Sequence, residues 1–182
     1  GSDDGAILGR SENLYGNYRL KRVYYSAFSP IPDASSRLPL AKPPLMREHR
    51  LYQADWLMRF YGFDRGEIVS GGEGGMLDLA VDPKLAWALK HRDRFPVDVN
   101  RADRDMLLRV PGFGTRAVNR ILSTRRHRTL RLDDVARLCQ SIAKVRPFVT
   151  ALDWSPGAAT DSEGLRERFV PKQRSAAQLS LF

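Results

Sequence analysis

Apolar positions along the chain fall into helical and extended spacings, separated by breaks rich in proline and glycine. Ser2, Asp3 and Asp4 offer N-cap oxygens ahead of Ile7, Leu8 and Leu14, which keep helical spacing. Arg22-Val-Tyr-Tyr-Ser-Ala-Phe28 is rich in strand formers and predicts a strand. A lone strand leaves its backbone donors and acceptors without partners, so this stretch predicts the last helix and strand of a sheet or barrel lying mostly outside the chain. Residues 29–45 carry five prolines and predict an extended connector. Met46 to Tyr61 predicts an amphipathic helix, with Leu51, Ala54, Leu57, Met58 and Tyr61 on one stripe and Arg47, Arg50, Asp55 and Arg59 off it; Gly62 is its stop. Asp82-Pro83 marks another helix start, leading into Leu85, Ala86, Trp87, Ala88 and Leu89, with Trp87 assigned to the core.

Asn100 to Arg125 predicts two short helices on a glycine hinge. Asn100 offers a backbone cap, with Asp103 three residues later in near capping-box form. The first helix runs into Val110-Pro-Gly-Phe-Gly114, where Gly112 and Gly114 permit a sharp turn and Phe113 points inward. A second helix follows with Ala117, Val118, Ile121 and Leu122 inward. Its first N–H groups and positive dipole end then face outward at the hinge, an arrangement suited to phosphate. Arg109, Thr115 and Arg116 flank that position with further donors, and Arg125 and Arg126 extend the positive charge. Such donors suit phosphate oxygens rather than base edges, so binding is expected to be largely independent of sequence. The alternative is that Pro-Gly-x-Gly is a tight turn between core helices.

Charge sharpens this picture. The 182-residue chain has a net charge of +9, yet residues 84–150 alone hold 16 Lys/Arg against 6 Asp/Glu. The whole basic surplus therefore sits around the hinge, as a polyanionic partner requires. Cys139 is the single cysteine, which excludes an intrachain disulfide; no signal peptide or long apolar run occurs, and the expected setting is cytoplasmic and nucleoid-associated, with no membrane. No catalytic or metal-binding residue is assigned. His49 with Asp55, and His91 with Asp93, read as solvated helix-surface pairs. Gly71-Gly-Glu-Gly-Gly75 lacks the lysine of a phosphate-binding loop.

The spacing of Asn100, Ala102, Leu107, Val110, Gly112, Phe113, Gly114, Ala117, Ile121 and Arg125 resembles the helix-hairpin-helix family of DNA uptake and repair proteins. The resemblance implies contact with double-stranded DNA through Arg109, Gly112, Phe113, Gly114, Thr115, Arg116, Arg125 and Arg126. A second copy is expected over Leu130 to Val149, with Cys139-Gln-Ser-Ile142 replacing the glycine hinge; its bulk should bar phosphate and leave that copy a structural partner. At the other end, Gln178, Leu179, Ser180, Leu181 and Phe182 resemble the bacterial sliding-clamp-binding motif.

Asp3-Asp4, Arg22 to Pro32, Arg47 to Trp56, Asp82 to Trp87 and the hairpin together are similar to the C-terminal part of the radical S-adenosylmethionine proteins of DNA modification and repair. That resemblance implies a mainly α fold: a tandem helix-hairpin-helix domain preceded by the last helix-strand unit of a truncated α/β, partial TIM-like barrel. The divisions are 1–32 barrel remnant, 33–95 helical connector, 96–150 tandem domain and 151–182 flexible tail. It further implies an iron-sulfur cluster and S-adenosylmethionine for a full-length relative but none for this chain, and a uracil-DNA-glycosylase-like partner. A competing expectation is a helical lid or protein-interaction module of the barrel with no direct DNA role.

Overall fold

Helix α1, Asp4–Tyr18, starts where Asp3 places its carboxylate 2.6 Å from the Ala6 N–H. In this computed structural model, which describes residues 2–30, 41–160 and 162–170, the chain is mainly helical. The segment rich in strand formers after α1 forms no strand among the described residues. Its N–H groups point alternately to two sides, and one side is satisfied by helix side chains: Val23 donates to Tyr15 Oη (3.1 Å), Tyr25 to Tyr52 Oη (3.0 Å) and Ala27 to Glu48 Oε2 (3.1 Å). These helix side chains stand where a neighbouring strand was expected.

α2, Leu45–Phe60, ends two residues before Gly62, whose φ of 69° closes the turn. Leu51, Ala54 and Leu57 are buried as the stripe predicts, but so are Arg50 and Asp55, which were expected off it. Asp55 is covered by α1 and by Tyr25: it accepts from Tyr15 at 2.5 Å and from Tyr25 at 3.4 Å and pairs with Arg59 at 3.0 Å. Arg50 donates to Gln53 and to Leu79 O. α3, Arg65–Ser70, opens on an Asp64–Glu67 capping box. The glycine loop after it serves packing, since a Cβ on Gly72 would collide with Met76 O. α4, Pro83–Lys90, is capped by Asp82, and Trp87 within it is buried.

The next segment is bracketed by a short parallel pairing of β1, Val97–Asp98, with β2, Val149–Thr150. Between them lie α5 (Arg104–Arg109), α6 (Thr115–Thr124), α7 (Leu132–Leu138) and α8 (Ile142–Val145), as two helix-turn-helix halves. Val99, Leu107, Val110, Val118, Ile121, Val135 and Val145 fill the space between the halves, each fully buried. At about 1.5–3 kcal/mol per large buried side chain, this interior is the main support of the hairpin. Asn100 does not cap α5; Asp103 does, accepting from Met106 N–H at 2.7 Å. Asn100 instead accepts from Leu130 N–H (2.8 Å) and donates to Leu130 O (3.1 Å), tying the halves together through backbone.

Neither boundary drawn around this segment separates it from the rest. Phe63, Trp87, Phe95, Phe148 and Phe169 form a column with successive ring centroids 5.2–6.2 Å apart. The last of these lies in the stretch expected to be flexible, yet Leu165 is fully buried, Thr160 donates to Pro147 O at 2.6 Å and Arg166 pairs with Asp78 at 2.7 Å. Residues 162–170 pack on the body because Leu165 and Phe169, although isolated in sequence, meet an apolar surface prepared by Phe148.

Candidate nucleic-acid interface

Gly112 and Gly114 do different work. At Gly112 φ is +88°, and an added Cβ would lie 2.8 Å from Val145 Cγ2 and 3.2 Å from Lys144 Cβ. This glycine is required by the turn and by the close approach of α8. Gly114 has an ordinary φ of −96°, and the nearest atom to a Cβ there is Tyr61 Oη at 3.6 Å. It is the N-cap of α6 and offers no side-chain oxygen, so the first N–H groups of that helix have no side-chain acceptor among the described residues.

The neighbouring helix starts differ. Asp82 caps α4, Asp103 caps α5, and Asp153 accepts from the Leu132 N–H at the start of α7. Each carboxylate satisfies N–H groups and would also repel an anion. Only the hinge end of α6, among these four helices, combines open N–H groups with glycine at the cap.

That end faces a groove of about 1020 Å³. The groove is lined by the hinge with Thr115, Arg116 and Arg120, by Asp82 and Lys84, by Arg137, Gln140 and Lys144, and by Tyr52 and Trp56 of α2 with Tyr61 at its end. Arg116 and Arg120 stand one turn apart and are exposed. Among the described residues neither these two nor Arg137 has an acidic partner, whereas Lys144 is paired with Asp82 at 2.7 Å. The local field is positive.

Beneath the hinge, Lys84 reaches from α4 to donate to Phe113 O at 2.6 Å, with its ammonium 4.8 Å from the Tyr61 ring centroid. Burial pushes its pKa down to about 7; Asp82 works against that shift, and Lys144 and Arg109 add to it.

The predicted site residues separate into two sets. Gly112, Phe113, Gly114, Thr115 and Arg116 line the groove together. Phe113 is buried, its N–H goes to Val110 O and its carbonyl to Lys84, so it shapes the hinge and has neither ring nor N–H left for DNA. Arg109 was expected beside the phosphate, but it forms a two-pronged pair with Glu67 (2.9 and 2.7 Å), donates to Gly62 O, and lies over the Phe63 ring. Arg125 donates to Val99 O and Ala102 O, bracing the segment that leads into α5. Arg126 is exposed but outside the groove. The α7–α8 turn, expected to be a structural partner, lies against Gly112, with Ser141 O 3.5 Å from where its Cβ would stand. Gln178 to Phe182 lie outside the described residues.

Sequence reasoning missed Arg120, Arg137, Lys144, Lys84 and Trp56. The i, i+4 spacing of Arg116 and Arg120 on one helix face was available as a signal; the others are brought in by tertiary packing. Of the two histidine pairs considered, His91 directs Nδ1 at Trp87 O, 2.8 Å away, and stacks on the Trp87 ring. An iron-sulfur cluster needs several thiolates. The chain offers Cys139 alone, half-buried with its pKa pushed up by burial, and no group of three His, Cys, Asp or Glu among the described residues could hold a metal ion. These residues do not fit such a cluster. No family model, no curated protein and no solved structure matches the chain.

Proposed function

We propose that this chain binds the phosphate backbone of double-stranded DNA without sequence preference, through the first of two helix-hairpin-helix units. The observation that carries the reading is the uncapped, glycine-led start of α6 opening on a groove whose unpaired charges are Arg116, Arg120 and Arg137. Open N–H groups, a positive helix end and guanidinium forks all favour phosphate oxygens. The basic surplus of residues 84–150 supports the same reading.

The test is duplex binding measured by fluorescence anisotropy across a salt series. A backbone reader loses affinity on a log-log line of slope about −0.9 per phosphate neutralised, and Arg116→Ala and Arg120→Ala should each reduce that slope by about one contact. Gly114→Val should weaken binding while costing only about 1 kcal/mol of stability, because the φ and surroundings of Gly114 accept a side chain. A flat salt response, or full binding by Gly114→Val, rules the reading out.

On the resemblances set out above, the module delivers a radical S-adenosylmethionine enzyme to DNA, and Gln178 to Phe182 tether it to the replication sliding clamp. Deleting those five residues should abolish clamp pull-down and spare DNA binding. A second reading, a protein-interaction module, is favoured by the exposure of Tyr18, Leu20 and Tyr24, large apolar side chains for which DNA contact gives no reason. Wild-type duplex affinity no better than that of a scrambled basic peptide would select it.

A further inference from the structure

The α2 wall of the groove is aromatic, and phosphate contact gives no reason for that. Trp56 is 52% exposed although it lies on a helix whose opposite faces supply the core. Its ring is braced from one side by Phe60, centroids 4.3 Å apart, and the Arg59 guanidinium lies 4.9 Å from the Phe60 ring and 5.9 Å from that of Trp56. Tyr52, farther along the same wall, is fixed by hydrogen bonds from its hydroxyl to Tyr25 O and from Tyr25 N–H. The wall is thus held in place with a large aromatic surface still in solvent.

The same groove is lined by Arg116, Arg120 and Arg137, with Asp82 the one acidic residue in the lining among the described residues and already engaged by Lys144 and the Leu85 N–H. A ligand that satisfies both walls must carry anionic groups and a flat apolar face close together. Paired duplex offers phosphates but keeps its base faces stacked inside the helix. An unpaired nucleotide offers both, and aromatic side chains next to cationic grooves are the usual platform for it. The groove volume of about 1020 Å³ matches the upper end of the roughly 300–1,000 Å³ that enclose a drug-sized ligand.

We infer that the groove between α2 and the start of α6 binds an unpaired nucleotide of DNA, its base stacked on Trp56 and its phosphates on Arg116, Arg120 and the hinge. The inference rests on the proposed DNA-binding reading and narrows its ligand to DNA with a single-stranded gap or end. The duplex beside the gap would be held by the same hinge.

The experiment compares the full chain on one duplex, intact and carrying a short single-stranded gap, by anisotropy at fixed salt, with quenching of tryptophan emission as a second readout. Wild type should prefer the gapped DNA by about tenfold, the effect of one stacked base, and gapped DNA should quench emission more than intact duplex does. Trp56→Ala should lower gapped-DNA affinity by about tenfold, a clearly larger loss than it causes on intact duplex, and Trp56→Phe should retain most of the preference. Equal affinity of wild type for the two DNAs, with the salt response intact, overturns this inference and leaves the duplex reading standing. A preference that survives Trp56→Ala, or a Trp56→Ala loss equal on both DNAs, also overturns it. Absence of binding to either DNA removes both readings. Should Trp56→Ala fold poorly, the wild-type quenching comparison decides alone, and equal quenching by the two DNAs counts against stacking.

Discussion

Replacing Lys84 with methionine keeps an unbranched stem of similar length in the interior and deletes the ammonium that reaches Phe113 O. Lys84 is 7% exposed. Burial is the main cause of its depressed pKa, with Asp82 opposing and Lys144 and Arg109 reinforcing. The folded chain releases this proton near pH 7, whereas the unfolded chain holds it to about 10.5. Between those values the unfolded state binds one more proton, so stability rises with pH; below 7 both states are charged and the folded state bears the full penalty. At about 1.4 kcal/mol per tenfold change in proton affinity, the drop from 10.5 to about 7 corresponds to about 5 kcal/mol. From about pH 7 to 9.5 wild type should therefore gain about 3 kcal/mol that Lys84→Met does not. The variant also loses the hydrogen bond to Phe113 O, about 1 kcal/mol at every pH. Urea unfolding of both proteins, followed by tryptophan emission at about pH 6, 7.5 and 9.5, gives the difference curve directly. The Cys139 thiol, pushed up by burial, acts in the opposite direction but equally in both proteins, and cancels. Two stability curves that stay parallel across this range would refute the account of Lys84 as a buried, easily neutralised pin.

The two hinge glycines should part company in the same unfolding assay. Gly112→Ala is expected to cost about 2–4 kcal/mol, from the left-handed φ and the clash with Val145, and Gly114→Ala about 1 kcal/mol or less. Equal losses would mean that the hinge does not pack on α8 as described. Arg109→Ala should destabilise by about 2–4 kcal/mol through the stranded Glu67 carboxylate and lost stacking on Phe63, and leave the salt slope of DNA binding unchanged. A reduced slope would return Arg109 to the phosphate site.

The hinge itself was legible in the sequence because its requirements are local. Positive φ needs glycine, Phe113 between two glycines has only the interior to turn to, and Asp82-Pro83 announces a helix start within a few residues. The arginines were not legible. A guanidinium answers a phosphate, a carboxylate or a carbonyl with the same donors, and the competing acceptor for Arg109 lies at Glu67, far away in sequence. Arg125 met the same fate through Val99 O and Ala102 O. In Arg22 to Phe28 the run of strand formers foretold an extended backbone but not which groups would satisfy it, and tyrosine and glutamate side chains did so. Asn100 shows a related confusion: its amide can serve a helix cap or bridge two strands of backbone, and the distant Leu130 decided the matter.

The column from Phe63 through Trp87 and Phe95 to Phe148 and Phe169 gives the groove a mechanical property. Its walls belong to stretches of chain far apart in sequence, yet Phe63 in that column follows closely on the aromatic wall, and α4, which carries Trp87 of the column, also carries Lys84, the strut to the hinge carbonyl. The spacing between aromatic and cationic walls is therefore a gauge set in the interior, as the jaw opening of a caliper is set by its beam. Ligands would be sorted by fit to a fixed opening rather than by closure around them, and interior substitutions at Phe95 or Phe148, remote from any ligand, would retune selectivity by changing the gauge.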